Sequence, residues 1–109
     1  MTLLELINLL KTTGYPVAYS HFENTEETPV PNPPFICYVI PGTENLKADN
    51  KVYHKISDID IELYTDYKDF EAERKIESVL DENEIPYDSF ETYIESEKLF
   101  QKTYEVRLI

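Results

Sequence analysis

Leu3, Leu6, Ile7 and Leu10 recur at helical spacing and would form one apolar stripe at the start of the chain. Thr2 and Glu5 bracket that start as a capping box, in which hydroxyl and carboxylate each satisfy a free backbone N–H. Gly14 is placed to end the element, so the pattern predicts a helix over about 3–13. Val17-Ala18-Tyr19 then gives a short strand signal. Between 23 and 34 the pattern fades into Glu, Asn, Thr and four prolines. Proline lacks the ladder donor, so this stretch predicts an extended loop outside any sheet centre.

The run 35–40 (FICYVI) is β-branched and aromatic and lies between Pro34 and Pro41, which predicts a buried strand. A second long polar loop covers 42–53. Beyond it Ile59, Ile61 and Leu63 alternate with Asp58, Asp60 and Glu62, the pattern of a strand covered on one side only. Val52, His54 and Ile56 have the opposite phase, which calls for a bulge or bend near Ser57, or else a projecting arm. Ala72, Ile76, Val79 and Leu80 form the next helical stripe, with Asp69, Glu71 and Glu73 at its positive end and Asn83 and Pro86 closing it. Strands follow at about 87–95 and 99–109, joined at 96–98, with Phe100, Tyr104, Val106 and Leu108 on one face. The order α-β-β-β-α-β-β predicts one α+β domain over 1–109: a mostly antiparallel sheet with two helices on one face.

Charge changes the picture more than composition does. The chain carries 22 acidic against 10 basic residues, a formal net charge of −12. Nucleic-acid and anionic-membrane surfaces are held by Lys and Arg, so tight binding to either is not expected. No run approaches the roughly 20 apolar residues of a membrane span. Glu5 interrupts the N-terminal apolar run, which makes a poor signal peptide and predicts a cytoplasmic protein. The single cysteine, Cys37, lies in the apolar run 35–40 and reads as a small buried hydrophobe.

Little here suggests catalysis. Asp58, Asp60 and Glu62 project from one strand face about 7 Å apart and could in principle offer oxygen ligands to a hard cation. A strand-carboxylate nuclease would also need a lysine on the strand, and Leu63-Tyr64-Thr65 follow instead, with Lys68 beyond the strand end. Their plainer role is the solvated or partner-facing side of the sheet. His21 and His54 lie in separate segments, and neither Ser20 nor Ser57 has the glycine context of a nucleophile elbow. Phe100 and Tyr104 could stack bases on a sheet, but the charge favours a core role for both. These features predict a protein without enzymatic activity, cofactor or metal.

Three segments taken together are familiar: Pro34-Phe35-Ile36-Cys37-Tyr38, Ala48-Asp49-Asn50-Lys51-Val52-Tyr53 and Ile61-Glu62-Leu63-Tyr64-Thr65. In this succession the chain resembles tail terminator, or tail-completion (tail-to-head joining), proteins of long-tailed phages and prophages. The resemblance implies a homo-oligomeric ring, a hexamer, that caps the tail tube and joins it to the head connector. Its partners would be further copies of itself, the tail tube protein and head connector proteins. It would stand in the host cytoplasm during assembly and then in the virion tail. It also implies that Asp49, Asn50, Val52 and Tyr53 touch a neighbour or the tube, and that Asp58, Asp60 and Glu62 face an acidic lumen past which DNA slides. The alternative is an acidic DNA mimic or host-defence antagonist that occupies a basic protein cleft.

Overall fold

A computed structural model of the chain describes residues 1–27, 29–41 and 57–108. Its elements run α1 (Leu3–Lys11), β1 (Val17–Tyr19), β2 (Phe35–Val39), β3 (Ser57–Thr65), α2 (Phe70–Glu82), β4 (Tyr87–Ile94) and β5 (Leu99–Leu108). This is the α+β order the periodicities predict. The opposite-phase stretch 51–56 and its bend, and the loop at 42–53, lie outside the described residues.

Local chemistry accounts for the helix ends. Thr2 Oγ1 accepts from the Glu5 amide at 3.1 Å, and Glu5 Oε1 accepts from the Thr2 amide at 3.3 Å, which closes the capping box. α1 takes in the whole apolar stripe but stops at Lys11, short of the predicted end near 13, where the Thr13 hydroxyl donates back to the Leu10 carbonyl at 2.6 Å and Gly14 takes φ +89°. At the start of α2 Asp69 Oδ1 accepts from the Ala72 amide at 3.0 Å. Its far end closes when the Ile85 amide donates to the Leu80 carbonyl at 2.9 Å, with Glu84 at φ +55° between them.

The five strands lie in the order β1-β2-β3-β5-β4. Every neighbouring pair is antiparallel except β1 and β2, which run parallel. A parallel pair cannot be closed by a tight turn, so residues 20–34 carry the chain back to the start of β2. Leu6 and Leu10 of α1 and Ile76 and Leu80 of α2 are fully buried with Ile59, Ile61 and Tyr104 of the sheet in one core. The Tyr104 hydroxyl donates to Glu77 Oε2 at 2.7 Å. Burial, with Glu77 and Glu73 beside it, pushes that phenol's pKa far up and keeps it a donor. Lys68 reaches Glu73 at 2.7 Å and Glu91 at 2.8 Å, tying the entry of α2 to β4.

Candidate functional site: the uncovered face of the sheet

Residues paired across an antiparallel ladder share a face, so the register sorts each strand into covered and uncovered positions. On the covered side Ile36, Leu63 and Lys102 stand in one row, and Tyr38, Ile61, Tyr104 and Ser89 in the next. Among the described residues the other face has no helix over it, and it divides into two halves.

One half is apolar. Phe35 stacks on Tyr64 at 5.1 Å between ring centroids, and Phe22, from the segment after β1, meets Phe35 edge-on at 5.4 Å. Between that segment and the sheet runs a groove of about 330 Å³, lined among others by Val30, Pro31, Cys37, Ile94 and Leu99. Cys37 is 2% exposed. Burial, and then the charge of Glu62, push its thiol up to about 11, which leaves it protonated and unreactive. Tyr64 donates to Glu62 Oε1 at 3.0 Å and accepts from Gln101 Nε2 at 2.8 Å. Burial is the main cause that lifts the Tyr64 phenol to about 12.

The other half is acidic. Asp60 of β3 stands directly opposite Glu105 of β5, and Glu105 directly opposite Asp88 of β4. Three carboxylates therefore follow one another across three strands. Like charges opposed in this way destabilise a sheet. Asp58 lies beside them with its charge met by Arg107, Nε to Oδ1 2.8 Å. Arg107 is the one cation on this face among the described strand residues. The carboxyl pKa of Asp60 is raised by burial and then by Asp58, and that of Glu62 by burial first, with the Tyr64 hydrogen bond working against it and Asp60 adding to it. A shallow hollow of about 500 Å³ opens over this end, bordered by Pro41, Asp88 and Arg107.

Asp58, Asp60 and Glu62 thus share the face that their alternation predicts. Glu105 and Asp88 complete the row, and sequence periodicity alone gave no sign of them, because their placement depends on long-range register. Asp49, Asn50, Val52 and Tyr53 lie outside the described residues, as does His54. Ser20 and His21 touch at 3.2 Å on the exposed bend after β1. Phe100 is half-buried beside Tyr93, 4.9 Å between centroids, while Tyr104 is fully buried. Among the described residues no group of three or more His, Cys, Asp or Glu is arranged to hold a metal ion, and no helix is long and apolar enough to cross a membrane. Comparisons with protein-family models, curated proteins and solved structures find no match to this chain.

Proposed function

We propose that this chain is a non-enzymatic assembly subunit of a phage or prophage tail, of the tail terminator or tail-completion type, working as a ring on the tail tube. One observation carries the reading: among the described residues a whole sheet face is left without a helix layer and is split between an aromatic groove and a row of opposed carboxylates. An apolar groove rimmed by polar residues is a protein-docking feature. The carboxylate row costs stability and does nothing for the core, so its use lies outside the fold. In a ring the groove half meets the tube or the neighbouring subunit. The acidic half then faces the lumen, where a negative wall repels the phosphate backbone and lets DNA pass without being held.

The test mixes the purified protein with tail tubes of the phage or prophage that carries its gene and examines them by negative-stain electron microscopy. The expected result is a ring at one tube end and an end to further elongation. Tubes that grow unchecked and stay bare would overturn the reading. Capture of a basic, nucleic-acid-binding protein in place of the tube would shift it to the DNA-mimic alternative.

A further inference from the structure

The sheet has two outer edges of very different character. The β1 edge is three residues long, begins after Pro16 and ends at Ser20, whose φ of +65° turns the chain away. The β4 edge is eight residues long and exposed at nearly every position on both faces, with Phe90 49% and Tyr93 50% accessible. Its ladder with β5 runs without a break from Tyr87↔Val106 to Ile94↔Leu99, so no bulge twists it away. It contains neither proline nor lysine, the residues that most often blunt a free edge. Among the described residues no strand pairs with this edge, and a long exposed edge is a template for another strand.

We infer that the strand it takes is β4 of a second copy, paired antiparallel across a two-fold axis with Phe90 opposite Phe90. Facing residues in an antiparallel pair share a sheet face, so odd positions can meet only odd ones and even only even. Two registers keep almost the whole strand paired. Centring on Glu91 sets Glu91 against its own twin and Asp88 against Ile94, a like-charge contact and a stranded carboxylate. Centring on Phe90 sets ring against ring, Tyr87 against Tyr93, Asp88 against Thr92 and Glu91 against Ser89. Each carboxylate then faces a hydroxyl donor of the other copy, and no like charges stand opposite. Glu91 also keeps its own Lys68 at 2.8 Å, which offsets repulsion along that side. The strand is self-complementary in this register.

The contact is isologous and closes at two copies, so it is independent of the head-to-tail contacts that the proposed ring requires. It gives the free subunit a way to cover its edge. Each copy carries a net charge of −12, so added salt should strengthen the pairing by screening that repulsion, whereas a basic partner would be weakened by salt.

Two measurements test it. Light scattering on the isolated protein, over rising concentration at low and high salt, should show monomer passing to dimer and more dimer in salt. Cysteine scanning reads the register, since native Cys37 is buried: under mild oxidation Phe90→Cys should form a disulfide-linked dimer several-fold faster than Ser89→Cys or Glu91→Cys. A strict monomer at every concentration, fastest cross-linking at 89 or 91, or assemblies beyond two without a cross-link at 90 would each overturn the inference.

Discussion

β3 presents two chemistries from one strand. Ile59, Ile61 and Leu63 are almost wholly buried under the helices, while Asp58, Asp60 and Glu62, one residue out of step, line a face with no helix layer among the described residues. At the centre of the covered face neighbours agree: Ile59 meets Val106, Ile61 meets Tyr38 and Tyr104, and the buried Tyr104 hydroxyl has the Glu77 carboxylate as acceptor. On the uncovered face neighbours conflict, since Asp60, Glu105 and Asp88 stand opposed across three strands. Agreement across levels marks the part of a sequence that specifies the fold, and local conflict marks the part kept for another purpose. The two faces should therefore answer substitution with opposite signs.

The largest effect belongs to the covered face. Ile61→Ala removes a fully buried side chain from the middle of the core and should lower unfolding free energy by about 2–5 kcal/mol in a denaturant titration. Tyr104→Phe comes next. It leaves the ring in place but deprives Glu77 of its donor, and a loss of about 1–3 kcal/mol is expected by the same titration. If Ile61→Ala cost no more than a surface substitution, the assignment of the two faces would be wrong.

The uncovered face should respond the other way. Asp60→Asn relieves both the burial of a charge and its opposition to Glu105, and should raise stability at neutral pH by about 0.2–1 kcal/mol. The pH dependence has the same origin. A carboxyl whose folded pKa lies above its unfolded one favours the native state while protonated. For Glu62 that contribution is fully present below its ordinary value of 4.5 and is lost as the pH rises through the raised one. Glu62→Gln should flatten this part of the stability–pH curve, measured by thermal melts at a series of pH values. A steeper curve in the variant would contradict the sign. The smallest effect is at Asp58, whose partner Arg107 is exposed: Asp58→Asn should leave the melting temperature unchanged within error.

How much of this was legible in the sequence varied with the range of the interaction. The capping box at Thr2 and Glu5, the acidic start of α2 at Asp69, Glu71 and Glu73 and the alternation of 58–63 are local, and each stands where the sequence pattern placed it; that Asp69 itself caps the helix is seen only in the structure. The parallel pairing of β1 with β2 has no local signature, because 23–34 reads only as a proline-rich loop; that Phe22 and Val30 help to frame a groove depends on how the chain returns. Glu105 reads as a polar residue in a core strand until the register sets it between Asp60 and Asp88. The open sides of β4 are hidden for a similar reason, since YDSFETYI does not tell an edge strand from an inner one.

The central claim is that the uncovered face is the docking surface, and co-sedimentation of the protein with tail tubes tests it most directly. The variant to compare carries Val30→Asp and Ile94→Asp, two substitutions at the groove that leave the core under the helices untouched. Wild type should pellet with the tubes, and the variant should remain in the supernatant while melting within a few degrees of wild type. A variant that pellets as wild type does would contradict the claim and move the contact off this face.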